Sequence, residues 1–549
     1  MISLKNLLSF LFVFSLTASA QKLKKEDKIL IDNLQAHVNY LADDKLEGRL
    51  VGSPGEKLAM EYISKKFQHS GMQPKGDANS YYQAFNIWEG RNFEKNSFLN
   101  INGDEIKKDE FFPLPCSPQT KHESSPSIAL KESGVPWFLD IKDDVNSNKN
   151  NPHFKLFQFL ADKATAFARK GATALFVYNS NEASADEKYN PRQLMDSTSI
   201  PVLMVSHKTA KKYFSDETAT LVINLKIAFA DNIRTGHNVI GYIDNGAATT
   251  AILGAHFDHL GFGEDGNSLL NTGDKLIHNG ADDNASGVAA LIELSRLLKK
   301  SKYNNNNYLF IAFSGEELGL FGSKYFVEHP TIDLSKANFM MNMDMVGRLN
   351  AKSPTLTIGG YGTSSLWSPV LSKLNPGKGI VIKFDSSGTG PSDHTSFYKK
   401  NIPVLFFFTG VHSDYHKPTD DAGKINYNGE NAIVQYIYKI IASLNKQGKL
   451  VFTATKEQQS GSMATFSVTM GIMPDYTFNG SGVRVDGVSE GRPAQKAGLV
   501  VGDVIVQLGD YPVSSLEDYM QALNKFKKGE KTKVKFKRAQ EMTDAELVF

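Results

Sequence analysis

Between residues 254 and 319 the chain gathers side chains that bind divalent metals and move protons. Gly-Ala-His256-Phe-Asp258 comes first, then Gly-Ala-Asp282-Asp283-Asn284-Ala-Ser-Gly287, then Ser-Gly-Glu316-Glu317-Leu-Gly. Further on stand Asp344, in Asn342-Met343-Asp344, and His416, in Tyr415-His416-Lys417-Pro418-Thr419-Asp420. Imidazole and carboxylate are the ligand types of zinc-like ions. His256, Asp283, Glu317, Asp344 and His416 can together hold two divalent ions if one carboxylate bridges them. Two ions about 3.5–4 Å apart activate one water while polarising a carbonyl. Glu316, next to a ligand, would face that water as general base. Asp258, two residues from His256, could orient its imidazole from behind. Each residue alone has a bland reading, since strand-end Asp and His are commonly solvated and Asp282 and Asp283 could merely cap a helix. The joint occurrence carries the case. His259, His278, His394 and His412 match no ligand position.

The elements that must position these groups are also legible. Residues 250–255 and 308–313 are apolar runs that read as buried strands, and each ends in one of the polar clusters. Between them, residues 285–300 have helical spacing, with Val288, Leu291, Ile292 and Leu298 on one side. A strand–helix–strand unit predicts a parallel α/β sheet, and such sheets place chemistry at the carboxyl ends of their strands. Further strands are expected at 239–243, 337–343, 356–358, 381–384 and 404–408, and a last helix at 430–444.

The flanking regions differ in character. Residues 25–75 read as two helices with a turn at 48–55; Ile31, Leu34, Val38 and Leu41 line one face of the first. From about 100 to 232 short strands, at 137–141, 173–178 and 201–206, alternate with loops and a helix at 157–169. That stretch reads as a small β-rich unit without a chemical cluster, hence a lid or specificity module. Residues 449–462 read as a polar linker, and about 87 residues remain for one small domain.

At 549 residues the chain exceeds one ordinary core, and about two to four domains are expected. It is 41% hydrophobic and 22% charged, with a net charge of +2, which gives no argument for nucleic acid or a membrane surface as partner. The N-terminus has Lys5, an apolar run from Leu7 to Leu16 and Ala18-Ser19-Ala20, the pattern of a cleaved signal peptide of residues 1–20. That run is shorter than the ~20 apolar residues of a span. The expectation is an exported protein, periplasmic or secreted, with no stable membrane span. Cys116 is the single cysteine, so there is no intrachain disulfide and no thiolate metal site.

These motifs resemble the zinc aminopeptidase family that includes bacterial leucyl aminopeptidases and the transferrin-receptor-like peptidases. The early stretch Leu41-Ala-Asp-Asp-Lys-Leu-Glu-Gly-Arg49, with Gly52-Ser-Pro-Gly55, matches it too. The resemblance implies two zinc ions. His256 and Asp344 would serve one, Glu317 and His416 the other, and Asp283, rather than Asp282, would bridge them. It implies Glu316 as the base, Tyr415 as a stabiliser of the transition state, and Asp393, in Ser392-Asp393-His394, as part of a substrate pocket. Residues 100–235 would be the protease-associated domain often inserted in this family. The C-terminal region resembles a bacterial, protease-linked PDZ domain: Met470-Gly471-Ile472-Met473 matches its carboxylate-binding loop, and residues 488–505 match its core. Such a groove takes an extended peptide or peptide C-terminus by strand addition; a packing domain that binds nothing is the alternative.

The expected fold class is α/β, a mostly parallel-sheet di-zinc peptidase core with an inserted β-rich protease-associated domain and a C-terminal PDZ-like domain. Its parts would be 1–20, 21–99, 100–235, 236–448, 449–462 and 463–549. The expected activity is removal of N-terminal residues from peptides, with a water between the metals as nucleophile. A carboxypeptidase or glutaminyl-cyclase-like activity on the same fold, or a peptide-binding protein with a structural metal site, are the alternatives.

Overall fold

A computed structural model describes residues 24–148, 154–181, 186–191, 197–270, 274–455, 468–474, 481–488, 491–514, 516–523, 525–539 and 541–549. The expected signal peptide lies outside them. Among the described residues no helix is long and apolar enough to cross a membrane.

Nine strands form the central sheet. Its middle is parallel, in the order Asn307–Phe313, Thr250–His256, Ala337–Met343, Val404–Phe408. The first three are buried along their whole length, as parallel strands covered on both faces must be, which is why they read as unbroken apolar runs. Both flanks turn antiparallel. Phe229–Ile243 runs against Asn307–Phe313, and Thr355–Gly359 runs against Val404–Phe408 while pairing parallel with Val381–Phe384. The sheet is therefore mixed, with four parallel strands at its centre and one further parallel pair at an edge.

Alternate residues of each strand serve opposite faces. Ala251, Leu253 and Ala255 join a core formed with helices Lys25–Leu41, Pro54–His69, Gly287–Lys299 and Tyr427–Leu444. Ile252 faces the other side, among Phe326, Phe397 and Met340. In Lys25–Leu41 the buried stripe is Leu30, Leu34, His37, Val38 and Leu41, so Leu30 takes the place expected of Ile31. Helix Pro54–His69 starts as its sequence dictates: Pro54 opens it, and the Ser53 hydroxyl accepts the Glu56 amide at 3.1 Å.

The β-rich stretch builds two four-stranded sheets with cores of their own. The border expected at 235/236 falls inside one strand, Phe229–Ile243, which pairs with Tyr82–Phe93 nearly throughout and runs on into the central sheet. Sequence reading missed Tyr82–Phe93 because its Asn, Glu, Gly and Arg residues break the apolar signal. The expected linker also begins too early. Leu450 is buried, its amide donating to Asn338 Oδ1 at 2.8 Å, and Phe452 packs on Tyr398 with ring centroids 5.3 Å apart. Residues 456–462 lie outside the described part. The C-terminal residues form a separate six-stranded sheet around Met470, Val485, Ile505, Leu508 and Phe536.

Candidate metal centre and active-site cleft

Most of the chemically notable residues stand at, or in the loops after, the carboxyl ends of central strands. His256 is the last residue of Thr250–His256, Glu316 and Glu317 follow Asn307–Phe313, Asp344 follows Ala337–Met343, and His416 lies in the loop after Val404–Phe408. Asp283 comes from the turn leading into helix Gly287–Lys299. Asn284 ties that turn to its neighbour strand: its Nδ2 donates to Met343 O at 3.0 Å, and its Oδ1 accepts the Met345 amide at 3.2 Å. Gly287 is forced by this approach, since a Cβ there would stand 2.5 Å from Met343 O.

The five expected ligands converge. His256 Nε2 lies 3.3 Å from Asp283 Oδ1 and 3.4 Å from Asp344 Oδ1. His416 Nε2 lies 3.3 Å from Asp283 Oδ2 and 3.1 Å from Glu317 Oε2. Each oxygen of Asp283 thus faces a different imidazole. Burial works against its charge, yet the two imidazoles hold the Asp283 carboxyl well below the usual carboxylate range. The adjacent Asp282 turns away and accepts the Gly347 amide at 2.7 Å and Ser286 Oγ at 3.0 Å, with His412 Nε2 3.1 Å off.

The far sides of these ligands are held by hydrogen bonds, the usual way a metal site fixes ring orientation. His256 Nδ1 donates to Asp258 O at 3.2 Å, and His416 Nδ1 to Asn267 O at 2.9 Å, so both Nε2 atoms are turned inward. Asp344 Oδ2 accepts Ser392 Oγ at 2.7 Å. The Asp420 carboxylate accepts the amides of Asp282 and Asp283, at 2.9 and 3.0 Å. Asp258 orients His256 mainly through its main-chain carbonyl. Its carboxylate, expected to do so, instead accepts the amides of Glu316 and Glu317, at 3.2 and 3.3 Å, and stands 3.7 Å from the His256 ring.

Sequence reading missed three residues of this arrangement. His259, which matches no ligand position in the sequence, is buried with Nδ1 2.7 Å from Glu317 Oε1 and 3.9 Å from Asp283 Oδ2. Two imidazoles therefore reach the Asp283–Glu317 pair. His416 meets both carboxylates within 3.3 Å through one nitrogen, which favours it as the ligand and leaves His259 as the group beside Glu317. The one sequence signal for His259 was its place three residues after His256. Arg49 is fully buried and donates to Phe257 O and Asn279 O at 2.7 Å, to Gly280 O at 3.0 Å, and to Leu41 O. Burial lowers its guanidinium to about 10 against the pull of Asp283, Asp258, Asp420 and Glu317, and it remains a cation at neutral pH. Asn267 left no signal at all.

The residues fit a pair of zinc-like ions. Ligand atoms of His256, Asp283 and Asp344, and of His259, Asp283 and Glu317, lie within 4.8 Å of one another. Asp283 Oδ2 is buried without a hydrogen-bond partner. The donor set, imidazole with carboxylate and no thiolate, is that of zinc or its divalent neighbours.

A cleft enclosing about 820 Å³, counted out to open solvent, runs from this centre over Thr357, Gly359, Asp385, Phe406 and Phe408. Glu316 and Tyr415 line it at the metal end. Burial, then the charges of Glu317, Asp344 and Asp393, push the Glu316 carboxyl well above the usual range although His256 opposes them. The Tyr415 ring stacks on His416, centroids 3.9 Å apart. Asp393, expected at a substrate pocket, is fully buried and absent from the cleft lining; burial pushes it up to about 7. Its neighbours Ser392 and His394 carry that turn's contacts, the first to Asp344, the second to the cleft wall.

Residues 238–441 match peptidase family M28, and residues 456–548 match the PDZ domain. The chain is 28% identical over 278 residues to aminopeptidase YwaD of Bacillus subtilis, a match spanning 48% of this chain and 55% of that protein, about half its length. It is 25% identical over 405 residues to leucine aminopeptidase 2 of Trichophyton rubrum, across 70% of this chain and 74% of the relative. Among solved structures, the aminopeptidase from Aneurinibacillus sp. strain AM-1 superposes with a TM-score of 0.42 at 22% identity, over 78% of this chain and 97% of that one.

Proposed function

We propose, for a chain whose residues 238–441 belong to peptidase family M28, that the protein is an exported, co-catalytic di-zinc aminopeptidase. The observation that carries this reading is the Asp283 carboxylate, each of whose oxygens faces a different imidazole–carboxylate pair, beside a cleft lined by Glu316. His256 and Asp344 would hold one zinc, His416 and Glu317 the other, with Asp283 between them. When bound, the ions supply charge that polarises the scissile carbonyl and acidifies a water.

The chain's own residues do the rest. Glu316 Oε, lining the cleft at the metal end, takes a proton from the attacking water and returns it to the leaving amine. Asp258 fixes the turn carrying Glu316 through two main-chain amides. Tyr415, stacked on His416, presents its hydroxyl to the developing oxyanion. The N-terminal apolar run and the Ala18-Ser19-Ala20 site support export. Residues 100–235 serve as a protease-associated module and the PDZ groove as a site for extended peptide.

The test is Glu316→Gln. The variant should keep its zinc content and lose hydrolysis of free-amino peptides, with amino-blocked peptides untouched by either protein. Retained turnover, or cleavage of blocked peptides by the wild type, contradicts the reading.

A further inference from the structure

The cleft has a second end, away from the metal centre. Its floor is set by strand register: Thr357 pairs with Phe408 and Gly359 with Phe406, which puts these four on one sheet face. The rings of Phe408 and Phe406 stack with centroids 5.7 Å apart, and His394 stacks on Phe406 at 4.5 Å. Burial lowers His394 to about 3, so this wall is aromatic and uncharged at neutral pH. Gly359 keeps the floor open, because a Cβ there would stand only 3.3 Å from the Phe406 ring.

At the head of this wall lies Asp385, the residue after strand Val381–Phe384. Its Oδ1 accepts the Ser387 amide at 3.0 Å, and no ion pair joins it to another described residue. Lys383, two residues back on the same strand face, is exposed and outside the cleft lining. Every other carboxylate in the lining belongs to the centre already described: Asp283, Glu316, Glu317 and Asp344. Asp385 is left unexplained by the chemistry.

Sheet geometry sets its distance. The strand before Asp385 is three places from the strand before Asp344, roughly 14 Å at about 4.8 Å per strand. A lysine side chain carries its Nζ about 7 Å from the backbone carbonyl through bonds of about 1.5 Å. An Asp385 carboxylate reaching in, and a charged contact of about 2.8 Å, close the remainder. A leucine side chain stops about half-way along the wall.

Resting on the aminopeptidase reading above, we propose that Asp385 and the Phe406–Phe408 wall form a subsite for the long cationic side chain, lysine or arginine, of the residue being removed. The rings take the methylene stem, and the carboxylate takes the charged end.

Binding to the Glu316→Gln protein, loaded with zinc, tests this without turnover. Lys-Ala-Ala should bind at least about tenfold more tightly than Leu-Ala-Ala, and adding Asp385→Asn should remove most of that ratio. The amide side chain of this variant still offers Oδ1 to the Ser387 amide, so the local turn is retained. The same fall in the lysine-to-leucine ratio of kcat/KM is expected for Asp385→Asn alone. Equal binding of the two peptides, or a ratio that Asp385→Asn does not change, overturns the subsite. If the wild type cleaves no free-amino peptide the aminopeptidase reading falls, while the binding ratio still decides the subsite.

Discussion

The main-chain carbonyl of Asn267 accepts the Nδ1 proton of His416 at 2.9 Å. A carbonyl can only accept, so this contact leaves Nε2 as the atom turned to Asp283 and Glu317. The same residue donates Nδ2 to Glu317 O at 2.8 Å, and the Leu269 amide donates to His416 O at 2.9 Å. One loop thus holds both groups of one proposed zinc position. Two residues before Asn267, Asp265 takes both amino groups of Arg234, at 2.8 and 3.0 Å, and Arg234 also meets Glu89. Arg234 and Glu89 belong to the paired strands Phe229–Ile243 and Tyr82–Phe93, so the ribbon leading to the β-rich module braces the metal loop.

Arg234→Gln should therefore weaken one of two zinc equivalents by about 10–100-fold, the scale of a lost supporting contact behind a ligand. Arg234→Lys should restore little, since a point charge cannot make the two-pronged contact. Zinc titration of metal-free protein reads both. Two equivalents bound as tightly as in the wild type would refute the brace.

The neighbours Asp282 and Asp283 should part company. Asp283→Asn removes the shared charge from both positions, and metal analysis after dialysis should find both equivalents reduced. Asp282→Asn leaves an oxygen for the Gly347 amide and should keep its zinc. The reverse result would exchange the roles assigned from their contacts.

Arg49 joins the chain at 257 to the chain at 279–280 through main-chain carbonyls, just behind His256 and Asp283. Gly48 before it has φ +68°, and a Cβ there would stand 2.6 Å from His278 O, so the turn is wedged in place. Arg49→Met strands those carbonyls and leaves nearby carboxylates without their buried cation. It should cost about 3–5 kcal/mol in denaturant unfolding of the metal-free protein. A loss below about 1 kcal/mol would show that the carbonyls find other partners.

Glu293 supplies a pH dependence remote from the metals. It is buried between helices Lys25–Leu41 and Gly287–Lys299, where Arg296 donates at 2.7 and 2.9 Å and Asn33 at 3.1 Å, with His37 at 3.4 Å. Burial opposes its charge, yet His37 and Arg296 hold the carboxyl below its ordinary 4.5. A depressed folded-state value means stability that is present above the unfolded value and lost as pH falls through the folded one. Thermal stability should decline below about pH 4.5, and Glu293→Gln should flatten that decline while lowering stability at pH 7. An acid limb unchanged in the variant would exclude Glu293 as its source.

Much of the catalytic core was legible because its signals are local. A strand buried on both faces must be apolar throughout, so Thr250–His256, Asn307–Phe313 and Ala337–Met343 announce themselves, and the polar residue ending each one stands out. Chemical type then limits what those residues can bind. Where the local signal is diluted, as in Tyr82–Phe93, the element went unread and the module border was misplaced into a continuous strand.

What tertiary structure alone decided lies in contacts between distant parts of the chain. Arg49 meets Phe257 and Asn279 across 208 and 230 residues, and Asp282 meets Asp420 across 138. No periodicity records such pairings. They placed Asp283 against His256 and His416 while Asp282 turns to Gly347 and His412, set the Asp258 carboxylate to hold the Glu316–Glu317 turn, and walled Asp393 off from the cleft. The physical reason is that a side chain's type is written in the sequence, while its direction and its partner are fixed only when separate strand ends are packed side by side.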